Sequence, residues 1–291
     1  MLSKRAGLWL GLIATLGLLS LGSSCSKSDV KDGGGDEATG TAYTSKGDEG
    51  TISGTVAYTG AAPEGKKIDT SADSQCAAKS PNLTSEDWVV KDGKLAYSFV
   101  YIKEGTLADG KKIADYTFAT PTAAVTLDQN GCHYKPHVLG VMVKQNINIT
   151  NSDPTTHNIH FTPKNNPDWN QSQPNGAGAL NHKLNVAETM VPVKCNQHPW
   201  MKSFVGVMKH PYFAVSAEDG KYTISNVPPG KYKVVAWHEG PGNGTEQTME
   251  VTVPAKGSAT ADFSFGASAA LRGQPSTLRM LPAIEFPMLQ K

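Results

Sequence analysis

The sequence lacks several features that would assign it to common functional classes. Its 27 Lys and Arg residues nearly balance 26 Asp and Glu residues, for a formal net charge of +1, and they form no basic stripe. Nucleic acid is therefore not an expected partner. No C-x-x-C-H motif occurs, so the chain carries no haem c of its own. No 3.6-residue period of useful length follows residue 25, and nothing resembles the acid–base pair of an enzyme.

The N-terminal segment predicts export. Lys4 and Arg5 precede an apolar or small-residue run over 6–21, and further small residues end at Cys25. This arrangement resembles a bacterial lipobox, which implies cleavage and lipid modification of Cys25. Gly22 departs from the pattern, which has an aliphatic residue there, so simple cleavage or a retained anchor are the alternatives. Ser26 at the next position implies the periplasmic face of the outer membrane or the cell surface.

Two further segments are not expected to belong to the globular body. Residues 26–49 are rich in Gly, Asp and Ser and nearly free of apolar side chains. Such a stretch cannot bury enough surface to offset its ordering entropy, so it predicts a flexible linker. Residues 267–291 show no clean period, and no structure is predicted for this tail.

The remaining chain is strand-like throughout. Alternating apolar and polar stretches such as TISGTVAYTG, NINITN and KYKVVAWH are separated by Gly, Pro, Asn and Asp clusters such as EDGK and VPPGK. This pattern is typical of β-sandwiches and predicts an all-β protein.

One part of the body resembles carboxypeptidase regulatory-like (prealbumin-like) domains. Residues 217–238, AEDGKYTISNVPPGKYKVVAWH, contain the D-G-x-Y strand and P-P-G turn of that family. The strand with which the family begins matches GTISGTV at 50–56, far upstream. The resemblance therefore implies a small, discontinuous β-sandwich over 50–120 and 212–266, with a second domain inserted at 121–211. A single larger sandwich is the competing interpretation.

The cysteine count singles out one thiol. The chain has four cysteines, and lipid modification of Cys25 would leave three in an oxidising compartment. Two of these can pair and one must stay single. Cys76 and Cys132 are most simply a disulfide, which leaves Cys195.

Residues 195–201, CNQHPWM, place three soft or borderline metal ligands at equal spacing. Cys195, His198 and Met201 lie in one loop that turns on Pro199. A blue-copper site needs two imidazoles and a thiolate, with a weak thioether, whereas sulfur ligands argue against magnesium or calcium and a thioether argues against structural zinc. A buried structural thiol or half of a disulfide is the alternative for Cys195.

The upstream segment supplies the missing imidazole. Residues 134–161, ending NSDPTTHNIHF, together with the CNQHPWM loop resemble the amicyanin- and plastocyanin-like cupredoxins. The resemblance implies a Greek-key β-sandwich over 121–211 and type 1 copper bound by His157, Cys195, His198 and Met201. It also implies that Asn158 hydrogen-bonds across to the ligand loop and fixes its geometry. On a strand, His160 faces the side opposite to His157, so only one of them can point at the metal.

Other candidate residues have simpler interpretations. GCHYKPH puts Cys132, His133 and His137 close together, so a second metal site is conceivable there. His210 and His238 are expected to be structural or surface histidines. The polar stretch 162–183 predicts a long loop, which either flanks a docking surface or is decoration.

These observations predict an exported, membrane-anchored blue copper protein that carries single electrons and is not an enzyme. The cupredoxin resemblance implies a redox partner, a c-type cytochrome or a dehydrogenase, which would dock at the edge of His198. Pro199 and Trp200 would surround that edge with an apolar patch, although Trp200 could equally be a core residue. The rival hypotheses are a copper storage or delivery lipoprotein and a cell-surface binding or scaffold protein.

Overall fold

Strands are the dominant secondary structure of the described residues, which confirms the predicted all-β class. The computed structural model describes residues 40–240 and 244–266. The strands are β1 Thr41–Ala42, β2 Gly50–Thr59, β3 Val90–Lys91, β4 Lys94–Leu95, β5 Phe99–Leu107, β6 Tyr116–Thr117, β7 Val125–Gln129, β8 Tyr134–Lys135, β9 Val138–Met142, β10 Ile147–Asn151, β11 His157–Phe161, β12 Trp169–Gln173, β13 Leu180–His182, β14 Glu188–Lys194, β15 Lys202–Met208, β16 Phe213–Val215, β17 Lys221–Val227, β18 Gly230–His238, β19 Thr245–Val253, β20 Ser258–Thr260 and β21 Phe263–Gly266. The helical elements are α1 Ser74–Lys79 and a 3-10 turn at Ile113–Asp115.

Residues 125–208 form a first pair of sheets, which we name sandwich A. One sheet has the order β13-β10-β7-β8 and the other β12-β11-β14-β15-β9. The pairs β7–β10 and β9–β15 are parallel, so their strands are joined by crossovers rather than hairpins. Alternation sets the inner face: Ile147 and Ile149 of β10 are fully buried, whereas Asn148 between them is not.

The stretch 162–183 is not the structureless loop that its polar composition predicts. It contains β12 and β13, which form one edge of each sheet of sandwich A. Gln173 explains part of this ordering, because its buried side chain hydrogen-bonds to Gln129 Nε2 at 2.7 Å and to the Ile149 carbonyl at 3.1 Å. Edge strands with one solvated face carry few apolar residues, which is why the sequence pattern concealed them.

A second pair of sheets, sandwich B, has the orders β16-β5-β18-β19 and β17-β2-β4-β3, with β20 and β21 also paired to β2. The turn before β17 depends on Gly220, whose φ is 72°. A Cβ at this residue would lie 2.5 Å from the Val56 carbonyl oxygen, so only glycine fits. The Tyr232 hydroxyl closes the P-P-G turn by donating to the Pro228 carbonyl at 2.7 Å.

The chain starts sandwich B with β2 to β5, builds sandwich A, and returns to sandwich B at β16. The two sandwiches contact each other through glycines on A and aromatic rings on B. Gly140 and Gly206 are paired partners on β9 and β15. A Cβ at Gly206 would lie 2.4 Å from the Phe99 ring, and one at Gly140 would lie 2.4 Å from the Phe213 ring. The exact domain boundaries stay a prediction.

The linker predicted over 26–49 is too long at its C-terminal end. Thr41 and Ala42 form β1, which pairs with β6, and the Tyr43 ring packs on Tyr116 and Phe118. The pairing with β6 and the packing of the Tyr43 ring together dock residues 41–43. The signal, Cys25, the first part of the linker and the 267–291 tail lie outside the described residues. Among the described residues, no helix is long and apolar enough to span a membrane.

The excursion between β2 and β3, residues 60–89, leaves sandwich B and crosses onto sandwich A; we name it the cap segment. Its helix α1 is joined to sandwich A by a disulfide between Cys76 and Cys132. Lys79 adds an ion pair to Asp153 at 2.7 Å, and the Ser80 hydroxyl donates to the Gly131 carbonyl at 2.9 Å. The cap segment is thereby fixed beside the loop at 195–201.

Candidate metal centre

The loop between β14 and β15 folds back on itself. The Cys195 amide donates to the Met201 carbonyl at 3.2 Å, and the Met201 amide donates to the His198 carbonyl at 2.9 Å. These bonds close a tight turn that places the Cys195 Sγ 3.6 Å from the His198 Nδ1. Both side chains are buried, as is Met201, which packs in the core cluster that contains Cys195.

The first residue of β11 completes a three-residue group. His157 Nδ1 lies 2.9 Å from His198 Nδ1. One ligand atom each from His157, Cys195 and His198 lies within 4.8 Å of the others. His160 points to the opposite side of the strand, where its ring contacts Asp168 and Asn196. The structure therefore places His157, and not His160, beside Cys195 and His198.

Asn158 ties this group to the strand. Its side-chain oxygen accepts the Asn196 amide at 2.7 Å, and its own backbone amide donates to the Cys195 sulfur at 3.5 Å. A substitution that removes the side-chain oxygen of Asn158 would therefore release the start of the loop, whereas the backbone donor to the sulfur would remain.

Both imidazoles are held by a carboxylate on the side away from the centre. His157 Nε2 lies 2.9 Å from Asp153 Oδ2, and His198 Nε2 lies 3.1 Å from Asp73 Oδ2. Although burial opposes ionisation, hydrogen bonds hold the pKa of Asp73 down at about 2 and that of Asp153 well below its usual range. An ionised carboxylate only accepts hydrogen bonds, so each ring carries a hydrogen on Nε2 and turns Nδ1 inward, with a lone pair on Nδ1 when the ring is neutral.

Inside the group, three electron-rich atoms therefore converge. Burial opposes charge on the Cys195 thiolate, but hydrogen bonds from His157 and from backbone amides outweigh it and lower the thiol pKa to about 7. For His157, burial opposes the cationic form, but Asp153 and the Cys195 sulfur raise its pKa to about 9. Two ring nitrogens and a sulfur at these distances need a shared cation between them, either a proton or a metal ion.

The donor atoms select among metals. Two imidazole nitrogens and one thiolate, with a buried methionine in the same loop, suit copper and exclude the oxygen-preferring magnesium and calcium. Two other groups of metal-ligand type overlap this one: Asp73, Cys76 and His198, and Cys132, Asp153 and His157. Each of these needs a sulfur that is bound in the Cys76–Cys132 disulfide. Cys195, the free cysteine of the described residues, is the thiolate donor among them.

The expected surface position of His198 is wrong. Its exposed fraction is 4%, because the cap segment lies over the ring edge that was expected to meet a partner. Pro199 is exposed. Trp200 is half-buried, packs against the core of sandwich A and donates its Nε1 hydrogen to the Cys132 carbonyl at 3.1 Å.

A second metal site at Cys132, His133 and His137 does not form, because Cys132 is in the disulfide. His137 instead lies between two carboxylates: Glu239, and Glu86, whose Oε2 is 3.3 Å from His137 Nδ1. Burial opposes the imidazolium, but the hydrogen bond to Glu239 and the nearby Glu86 carboxylate raise its pKa to about 9. This cluster joins the cap segment to both sandwiches.

His210 and His238 are structural, as the sequence predicts. His210 donates to the Ile102 carbonyl at 3.0 Å and accepts from the Tyr212 amide at 3.3 Å. His238 stacks on Trp88 at 4.6 Å between ring centroids.

Sequence reasoning missed Asp73 and Asp153. Asp153 had a signal, because it precedes His157 by four residues in NSDPTTH, whereas Asp73 lies in a segment with no motif.

Comparisons with known proteins match parts of the chain. A family model described as polysaccharide lyase family 4, domain II, matches residues 186–261, less than half of the chain. No curated protein matches the sequence.

Similar solved structures include a copper-containing nitrite reductase from Thermus scotoductus, at 20% identity and a TM-score of 0.27. The match covers 31% of this chain and 23% of that one, so the chain spans about a quarter of the reductase. Amicyanin from Paracoccus versutus is 16% identical with a TM-score of 0.27, over 37% of this chain and 96% of amicyanin. A purple cupredoxin from Nitrosopumilus maritimus is 23% identical with a TM-score of 0.25, over 29% of this chain and 98% of that one.

Proposed function

We propose that this protein is an exported, membrane-anchored type 1 copper protein that carries single electrons between redox partners. The observation that supports it most is the buried group in which His157 Nδ1, His198 Nδ1 and Cys195 Sγ converge within 4.8 Å. Bound copper would supply a one-electron couple between Cu(I) and Cu(II).

The residues of the chain have distinct tasks in this proposal. His157, Cys195 and His198 are the strong ligands, and Met201 is the weak thioether ligand. Asp153 orients His157, and Asn158 donates to the sulfur and holds the loop. Strand β11, the β14–β15 hairpin and the cap segment hold the ligands nearly fixed. Little rearrangement is then needed when the charge of the centre changes, which favours a carrier over an exchangeable copper store.

Docking and location complete the proposal. Lipid modification of Cys25 would place the carrier at the outer membrane, and a c-type cytochrome or a dehydrogenase would exchange electrons with it. Because His198 is covered, docking would use Pro199 and the exposed part of Trp200 rather than the ring edge.

Trp200→Ala is expected to slow electron exchange with cytochrome c more than it changes the copper spectrum. Equal loss of both would assign Trp200 to the core alone.

The ligand assignment is tested by copper titration of the purified protein and two matched variants. His157→Ala is expected to lose stoichiometric binding of copper. His160→Ala is expected to bind one equivalent like the parent, because that ring contacts Asp168 and Asn196 on the opposite side of β11. Equal copper binding by all three proteins would reject the site.

A further inference from the structure

The cap segment reaches the proposed copper centre through one side chain. Asp73 is the N-cap of α1, and its carboxylate is fully used. Oδ1 accepts from the Gln75 amide at 2.8 Å and from the Cys76 amide at 3.1 Å. Oδ2 accepts from the Thr155 hydroxyl at 2.7 Å and from His198 Nε2 at 3.1 Å. Two of these partners fix the carboxylate to the helix, one fixes it to sandwich A, and the fourth is the imidazole.

The position of Asp73 is set by covalent and ionic anchors. Cys76, three residues later, is bonded to Cys132, and Lys79 pairs with Asp153, which orients the other imidazole. Asp73 is thus clamped between α1 and Thr155, with a side-chain exposure of only 17%. The carboxylate has little freedom to leave His198 without breaking the helix cap or the bond to Thr155.

The contact with Asp73 determines which ring nitrogen of His198 keeps a lone pair that can bind a metal. Because Oδ2 can only accept, the hydrogen of the neutral ring stays on Nε2 and the lone pair stays on Nδ1, which faces Cys195 at 3.6 Å. A ring with its hydrogen on Nδ1 could not bind a metal through that atom. The carboxylate also brings a negative charge close to the centre, which favours the more positively charged state of a bound metal.

We propose that Asp73 is a positioning residue of the metal centre. The cap segment carries it onto His198 to fix the Nε2–H tautomer, to close the ring edge off from solvent and partners, and to lower the reduction potential of bound copper. The statement about the potential rests on the proposed function, whereas the statement about the tautomer concerns the metal-free protein alone.

Two substitutions separate the tautomer from the helix cap. In Asp73→Asn, the side-chain oxygen can still cap α1, but an NH₂ group then replaces Oδ2 and donates towards His198. The ring must accept at Nε2, so its hydrogen moves to Nδ1. Asp73→Ser keeps a good helix N-cap but has no group long enough to reach His198. Asp69→Asn is the matched control, because it removes the same charge from an exposed residue of the cap segment that hydrogen-bonds only locally, to Ser71.

The first measurement is the ¹⁵N NMR spectrum of the His198 ring in the metal-free protein. We expect the hydrogen on Nε2 in the parent and in Asp69→Asn, on Nδ1 in Asp73→Asn, and a mixture in Asp73→Ser. An Nε2–H ring in all four proteins would overturn the proposal.

The second measurement is the reduction potential and the Cu(II) affinity of the loaded proteins. Loss of an outer partner of a ligating histidine typically costs 10–100-fold in metal affinity. We expect about a 10-fold or larger loss for Cu(II) in both Asp73 variants and a smaller loss for Cu(I). A 10-fold difference between the two states raises the potential by about 59 mV.

The two measurements distinguish separate failures. Unchanged potentials in both Asp73 variants would overturn the electrostatic part of the proposal. If the parent binds no copper but the Asp73 variants still change the tautomer, the proposed function fails and the positioning by Asp73 stands.

Discussion

At the scale of single residues, the same few interactions explain why Cys195 can serve as a thiolate. A buried sulfur would normally resist ionisation, yet the pKa of Cys195 falls to about 7 because His157 and three backbone amides point at it. Burial also keeps oxidants and other thiols away from it, since only 2% of the residue is exposed. A free cysteine can therefore persist even in an oxidising compartment, where unprotected thiols form disulfides.

The buried histidines outside the centre predict a dependence of stability on pH. Burial lowers the pKa of His210 from about 6.5 to about 4, although its hydrogen bond to the Ile102 carbonyl opposes this. Its folded-state pKa is depressed, so the unfolded chain takes up the proton first as the pH falls. The contribution of neutral His210 to the free energy of unfolding is fully present above about pH 6.5. It is lost as the pH falls from about 6.5 to about 4, by up to ~3 kcal/mol in total.

His210→Gln tests this assignment. Glutamine does not titrate, so urea unfolding of the variant between pH 6 and 4.5 is expected to lose about 1.4 kcal/mol less per pH unit than the parent. His182 and His238 have pKa values lowered to about 4 as well, and they keep a slope in both proteins. Identical slopes in parent and variant would show that His210 does not control this part of the acid response.

At the scale of elements, the cap segment has a covalent anchor to sandwich A. The disulfide between Cys76 and Cys132 spans 56 residues, so it restricts the unfolded chain strongly. The Cys76→Ala, Cys132→Ala double variant is expected to lose up to ~4 kcal/mol of unfolding free energy in urea. The double variant is preferable to either single one, which would leave a second thiol able to pair with Cys195.

The copper spectrum of the same variant is an internal control. His157, Cys195 and His198 belong to sandwich A, so copper is expected to keep its thiolate ligand, while its affinity, its potential and its solvent exposure change. A stability loss below about 1 kcal/mol would show that the remaining contacts, such as the Lys79–Asp153 ion pair, already fix the cap segment.

The ligand residues and the cap segment differ in how far the sequence reveals them. Cys195, His198 and Met201 are three residues apart, and the resemblance of residues 134–161 to cupredoxins implied His157, so the sequence was enough to place His157, Cys195 and His198 in one group. Asp73 covers the ring edge of His198 only because two segments far apart in the chain pack together. Asp73 is one carboxylate among many, and only its position in three dimensions distinguishes it. The expected docking edge was wrong for this reason.

The sequence pattern also failed to predict two strands of sandwich A. Residues 162–183 carry few apolar side chains, because β12 and β13 are edge strands with hydrogen-bonded, polar faces. Sandwich B was easier to predict, since β17 alternates buried and exposed residues over most of its length and the D-G and P-P-G turns precede β17 and β18. Patterns therefore identify central strands and turns more readily than edges.

At the scale of the whole molecule, the two sandwiches are coupled by a packed face and by charges. Phe99, Val138, Met208, Val235 and Trp237 lie in one buried cluster drawn from both sandwiches. Lys202 of β15 pairs with Glu239, at the end of β18, at 2.5 Å, and also pairs with Asp87 of the cap segment. Lys202, which directly follows the loop at 195–201, is therefore paired with both sandwich B and the cap segment.

Gly206→Ala tests the packed face. The added Cβ would lie 2.4 Å from the Phe99 ring, so the rings or strands must shift, at an expected cost of about 1–3 kcal/mol in urea unfolding. Gly178→Ala is the matched control, because no atom lies within 4 Å of its added Cβ. Equal stabilities of the two variants would mean that the sandwiches can separate by a small amount without loss.

The central claim is that His157, His198 and the Cys195 thiolate bind one copper ion inside sandwich A. The most direct test is the visible and EPR spectrum of the oxidised, copper-loaded protein beside that of Cys195→Ser. We predict an intense thiolate-to-copper charge-transfer band in the parent and its absence in the variant. A fully loaded parent that stays colourless when oxidised would contradict the account, and so would a disulfide at Cys195.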